Sequence, residues 1–127
     1  MSPRILIVDD SSLSRRTMRR ILEEAGHEVV EATDGMTGLE LYFLEKPDLV
    51  LLDLVMKGMY GLDVLKKLRE LDPNANVIVA SADIQDSTRK MVDEGGARGF
   101  INKPFVAEHV IAAVNEVLPG GPRSEAN

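Results

Sequence analysis

No cysteine occurs in the 127 residues, so disulfides and thiolate zinc sites are excluded and nothing argues for an oxidising compartment. No apolar run approaches the roughly 18–20 residues of a membrane span, and the opening Met1-Ser2-Pro3-Arg4-Ile5 lacks the form of a signal peptide. The expected compartment is the cytoplasm, with no membrane contact. An excess of positive charge is missing as well. Fifteen Lys and Arg against 21 Asp and Glu leave a net charge of −6, which disfavours non-specific nucleic-acid binding. Histidine is scarce: His27 and His109 are isolated, without metal-ligand company, and both read as structural. Internal repeats and low-complexity segments are absent. What remains is 44% hydrophobic and 28% charged, the composition and length of a single globular domain.

Apolar runs alternate with helical patterns five times along the chain. The first strand covers about Arg4–Val8, and Ser12 or Ser14 can cap a helix whose apolar stripe is Leu13, Met18, Ile21, Leu22 and Ala25. Gly26 ends that helix, where a residue tolerant of positive φ is favoured. A second strand runs through Glu28–Ala32. Asp34-Gly35 then turns into a helix carrying Met36, Leu39 and Phe43, which stops before Lys46-Pro47. The third strand is Leu49–Leu52, followed by an irregular loop, Val55–Tyr60. Gly61 opens a helix with Leu62, Leu65, Leu68 and Leu71 facing in, and Asp72-Pro73-Asn74 is turn chemistry. The fourth strand, Val77–Ser81, leads to a helix around Gln85–Glu94 with Ile84, Thr88, Met91 and Val92 inward. Gly95-Gly96 closes it and Gly99–Asn102 forms the fifth strand. The last helix, about Val106–Leu118, carries Val106, Val110, Ala113, Val114 and Val117. The domain is expected to span residues 1–118, and the polar, Pro/Gly-rich residues 119–127 to form a disordered tail.

Strands that are apolar on consecutive residues are buried on both faces, as in a parallel sheet covered by helices. The expected fold is α/β: a flavodoxin-like (βα)5 three-layer sandwich with a parallel five-stranded sheet in the order 2-1-3-4-5. The carboxyl ends of such strands form the crevice where ligands bind. Asp9 and Asp10, Asp53, Ser81 and Lys103 each stand at or just past the end of an apolar run. Three gathered acids repel one another unless a cation joins them, and oxygen-only ligands favour Mg²⁺, with Mn²⁺ as an alternative. A cation beside a lysine and a hydroxyl makes a site for a phosphoryl group. Taken singly, each residue has a plainer reading. Asp9 or Asp10 suits the first turn of the next helix, Asp53 a loop cap, Ser81 a turn and Lys103 a solvated charge. Those readings give no reason for all five to share one sheet edge.

The chain resembles the receiver domain of two-component response regulators, specifically single-domain regulators of the CheY type. The resemblance runs from about Arg4 to Leu118. Its marks are Val8-Asp9-Asp10 after the first strand, Asp53 within Leu-Leu-Asp-Leu-Val-Met, Gly61 eight residues later, Ser81-Ala82, and Lys103-Pro104-Phe105. The resemblance implies that Asp53 accepts a phosphoryl group from a phosphohistidine or a small donor. It implies that Asp10, Asp53 and the backbone carbonyl of Val55 hold Mg²⁺, with Asp9 completing the cluster through water. Lys103 and Ser81 are expected to meet the phosphoryl oxygens. Phe100 matches an aromatic switch position, for which a core or surface apolar role is the plain alternative. Lys103-Pro104 is expected to be cis. By the same resemblance, Val55 and Asp83 are expected to occupy the two positions that tune hydrolysis.

Expected partners, also by resemblance, are a sensor histidine kinase or histidine phosphotransfer protein, and a downstream protein on the helix 4–strand 5–helix 5 face. The chain would then be no enzyme beyond its own phosphorylation and dephosphorylation. A phosphate shuttle or sink in a phosphorelay is the alternative output. Arg15, Arg16, Arg19 and Arg20 read as the outward side of the first helix, either a solvated face or a docking surface for an acidic partner. Lys57 replaces a common proline, Tyr60 a common acid, and Ser81 the commoner threonine; none removes the assigned chemistry. A flavin carrier on the same fold would need free backbone donors around a phosphate, which Asp9-Asp10 would repel. An aspartyl phosphatase would need its second acid two residues on, and here the pair is adjacent.

Overall fold

The computed structural model describes residues 3–56, 58–82 and 85–118. The readings made for Lys57, Asp83, Ile84 and residues 119–127 lie outside the described residues. Ten elements alternate: β1 (Arg4–Val8), α1 (Ser12–Glu24), β2 (Glu28–Ala32), α2 (Gly35–Glu45), β3 (Leu49–Asp53), α3 (Gly61–Leu71), β4 (Val77–Ser81), α4 (Asp86–Glu94), β5 (Gly99–Asn102) and α5 (Ala107–Val117). All neighbouring strands are parallel, in the order β2-β1-β3-β4-β5. This is the expected flavodoxin-like sandwich.

Because successive strand residues point to opposite faces, the sheet divides two cores. Leu6, Val8, Val50, Leu52, Val77 and Val79 pack with residues of α2, α3 and α4. Ile5, Ile7, Leu49, Leu51, Ile78 and Ile101 pack with α1 and α5. The central strands β3 and β4 are buried along their whole length, which is why they read as unbroken apolar runs.

The helical faces differ from the sequence reading in several places. Ser11, not Ser12 or Ser14, caps α1: its backbone is extended and its hydroxyl accepts the Ser14 N–H at 3.2 Å. Met18, Ile21 and Leu22 are buried there, whereas Leu13 and Ala25, near its two ends, are exposed. In α2 the buried set is Gly35, Gly38, Leu39 and Tyr42, so Met36 and Phe43 face outward. The glycines decide this. A Cβ on Gly38 would sit 2.9 Å from Val8, and one on Gly35 would sit 2.7 Å from Val64. The helix therefore turns its smallest residues to the sheet and α3, and Tyr42 inward with them. The Tyr42 hydroxyl donates to Asp72 at 2.6 Å, satisfying its polar tip at the rim of the core. Leu71, Met91 and Val106 are likewise exposed, while Val64 is fully buried. Each helix covers one sheet face only, so its inward stripe is narrower than its total of apolar residues.

Candidate functional site

Strand register brings the chemistry-bearing residues to one edge. Val8 lies beside Leu52, Asp53 beside Ala80, and Ser81 beside Asn102. The four strands therefore end nearly level, with Asp53 and Ser81 as last residues, and Asp9 and Lys103 one residue beyond β1 and β5. Carboxylate oxygens of Asp9, Asp10 and Asp53 all lie within 4.8 Å of one another. Asp9 and Asp53 are buried and Asp10 is exposed. Lys103 reaches back across the edge. Its Nζ is 2.9 Å from Asp9 Oδ2 and 3.5 Å from Asp53 Oδ1. Its backbone N–H donates to the Ser81 carbonyl at 3.0 Å, which ties β5 to the end of β4. Ser81 is buried, and the Lys103-Pro104 peptide is cis, as expected.

Among the described residues, three acids and one lysine meet at the site. Burial pushes the Asp53 carboxyl above its ordinary value, and the Asp9 charge pushes it further. Lys103 and the Val55 N–H oppose that shift without cancelling it. Among the described residues, Lys103 faces the two buried carboxylates, and the third acid stands at the surface. An all-oxygen donor set of this kind fits a hard divalent cation. Asp9 also shapes the turn into α1, where its Oδ1 accepts the Ser11 N–H at 2.9 Å.

The loop after β3 is drawn tightly against the strand. Gly61 N donates to Leu54 O at 2.7 Å. A Cβ at Gly61 would collide with the Asp53 carbonyl and sit 2.6 Å from the Leu54 Cα. Only glycine lets α3 begin so close to the residue that carries the central carboxylate. Val55, whose backbone N–H donates to the Asp53 carboxylate, is 66% exposed. Phe100 is half-buried against the α2–α3–α4 core, and the Arg89 guanidinium stands 5.0 Å from its ring centroid. Asp83 lies outside the described residues.

The arginines of α1 do not share one outward face. Arg15 Nε donates to Glu31 at 2.9 Å and Arg15 Nη1 to the Asp9 carbonyl at 2.8 Å. Arg19 Nη1 holds the other Glu31 oxygen at 2.7 Å. Arg16 and Arg20 are exposed. Sequence reasoning missed the inward pair, although Glu31 standing alone between Val30 and Ala32 was a signal, since a carboxylate in such a strand calls for a cation. His27 is half-buried, and burial lowers its pKa, in keeping with a neutral structural role.

The family model described as response regulator receiver domain matches residues 5–115. The chain is 42% identical to the chemotaxis protein CheY of Thermotoga maritima, over 92% of this chain and 98% of that one. It is 34% identical to the sporulation initiation phosphotransferase F of Bacillus subtilis, over 94% and 96%. Among solved structures, a CheY-like receiver domain protein from Methanospirillum hungatei superposes with a TM-score of 0.88 at 27% identity, covering all of both chains. A chain from the CheX–CheY–BeF3–Mg²⁺ complex of Borrelia burgdorferi gives 0.87 at 32% identity, over 90% of this chain and 87% of that one.

Proposed function

We propose, from the premise that this chain belongs to the response regulator receiver family, that Asp53 is its phosphoacceptor and that Asp9, Asp10 and Lys103 serve the transfer. As a homologue of CheY proteins and of a sporulation phosphotransferase, the chain is a phosphorylatable response regulator of two-component signalling. The observation that carries the assignment is the meeting of three carboxylates within 4.8 Å, with one lysine against the two buried ones. In the proposed step an Asp53 oxygen attacks phosphorus of a phosphohistidine, forming the O–P bond as the P–N bond breaks and the imidazole leaves. Asp10, Asp53 and the Val55 carbonyl would hold Mg²⁺, with Asp9 completing the cluster, and a divalent cation there would supply charge against the acids and the incoming phosphoryl group. Lys103 supplies a second positive charge, exchanging an Asp contact for a phosphoryl oxygen. The Ser81 hydroxyl donates to the same group.

The partners proposed are a sensor histidine kinase or histidine phosphotransfer protein upstream, and a protein target on the α4–β5–α5 face downstream. That face carries exposed Lys90, Asn102 and Glu108 beside Phe100. A phosphorelay intermediate is a second reading, favoured by the similarity to sporulation initiation phosphotransferase F. Beryllofluoride with Mg²⁺ tests the switch. Amide signals of Asp10, Ser81 and Lys103 should shift, and so should that of Phe100, whose conformation is proposed to follow the Ser81 hydroxyl. Shifts confined to the pocket would overturn the switch role of Phe100.

Val55 is proposed, with Asp83, to set the lifetime of the aspartyl phosphate. Hydrolysis needs a water held in line with phosphorus, and the exposed Val55 side chain offers no polar atom to hold one. Val55→Asn should lose its phosphoryl group several times faster than wild type without added phosphatase. A decay equal to or slower than wild type would show that Val55 does not limit water access.

A further inference from the structure

We propose that Arg15 is a positioning residue for the cation site, fixing the peptide unit that joins Asp9 to Asp10. Its guanidinium bridges two elements. Nη1 donates to the Asp9 carbonyl at 2.8 Å while Nε donates to Glu31 Oε1 at 2.9 Å, with the side chain only 16% exposed. Glu31 is itself held by Arg19 Nη1 at 2.7 Å, and Arg19 Nη2 donates to the Val29 carbonyl at 3.2 Å. The anchor behind Arg15 is therefore the body of β2, which is paired with β1 along its length.

The consequence follows from peptide geometry. The Asp9 carbonyl and the Asp10 N–H belong to one planar unit, so a bond that orients the carbonyl also sets the direction in which Asp10 leaves β1. The same turn is held from its other side: Asp9 N donates to the Ala32 carbonyl at 3.1 Å, and Arg15 N to the Ser11 carbonyl at 3.0 Å. Asp10 is the exposed acid of the three and stands in this irregular turn rather than in a strand. Its approach to Asp53 is set in part by the turn, and among the described residues Arg15 is the α1 side chain that donates to the Asp9 carbonyl. A planar, forked guanidinium suits this bridging position, because it meets a carbonyl and a carboxylate at once.

Charge and position predict opposite outcomes. By charge alone, removing a cation near the acids would tighten Mg²⁺ binding. By position, removing Arg15 loosens the turn and weakens it. The proposal rests on the reading of the acids as a Mg²⁺ site, and the experiment separates the two. Mg²⁺ is titrated into wild type, Arg15→Met, Arg15→Lys and Arg19→Met, following the amide signals of Asp10 and Asp53, with thermal melts alongside. Arg15→Met should bind Mg²⁺ on the order of tenfold more weakly, the low end for outer-sphere partners of metal ligands. Arg15→Lys, with one point charge for two acceptors, should fall between it and wild type. Arg19→Met shares the Glu31 network without touching Asp9, so it should lose thermal stability and keep its Mg²⁺ affinity. Unchanged or tighter binding by Arg15→Met, or an equal loss in Arg19→Met, would overturn the positioning role. A wild-type protein whose amides do not respond to Mg²⁺ at all would overturn the metal reading itself.

Discussion

Asp53→Asn is expected to take up no phosphoryl group from acetyl phosphate and Mg²⁺, while wild type gains one acid-labile group. The side-chain amide carries no negative charge on oxygen, so the carboxylate nucleophile is lost with little change in shape. Intact-protein mass spectrometry reads the result, and stoichiometric labelling of the variant at another residue would sink the assignment. The same variant should be more stable than wild type at neutral pH without Mg²⁺, melting a few degrees higher. Burial and the Asp9 charge raise the Asp53 carboxyl above 3.8. Between that ordinary value and the raised one, the folded chain keeps a proton that the unfolded chain has lost, so wild-type stability falls as pH rises. Above the window the penalty is complete, and asparagine escapes it. Below pH 3.8 the carboxyl is protonated in both states, and the two melting curves should converge.

Lys103→Met should act in the opposite direction on stability and still impair the chemistry. Lys103 touches both buried carboxylates, at 2.9 and 3.5 Å. Removing it leaves Asp9 and Asp53 facing each other without their cation, and the Asp53 carboxyl rises further. The loss without Mg²⁺ should be about 3 kcal/mol, as for removing one partner of a buried pair. Saturating Mg²⁺ should restore much of that stability through binding to the folded state. It should not restore phosphorylation, which is expected to slow on the order of a hundredfold, because a charged donor to the phosphoryl group has gone. Chemical denaturation with and without Mg²⁺, beside single-turnover labelling, separates the two effects. A variant that labels at the wild-type rate would show that Lys103 is structural only.

The pattern of strands and helices was legible because it is local. A run as short as Leu49–Leu52, apolar on consecutive residues, suits a strand buried on both faces as in a parallel sheet, and the polar residue that ends it then falls at the sheet edge. For that reason Asp9, Asp10, Asp53, Ser81 and Lys103 could be assigned to one edge, and the structure places them there. The helix faces were less legible. Counting large apolar residues turned α2 by one position, to Met36 and Phe43, since the cost of a Cβ at Gly38 depends on Val8, a residue of a different element far back in the chain.

By itself, then, the sequence determined which elements exist, and which side chains each strand delivers to its carboxyl end. Tertiary structure decided how those side chains are held. The Arg15 bridge from Asp9 to Glu31, the Tyr42 hydroxyl on Asp72, and the sharing of Lys103 between two acids all join residues from separate elements. A long polar side chain has many rotamers and several acceptors within reach. Burial selects among them by penalising every arrangement that leaves a donor or a charge unmatched, and that selection exists only once the layers have packed.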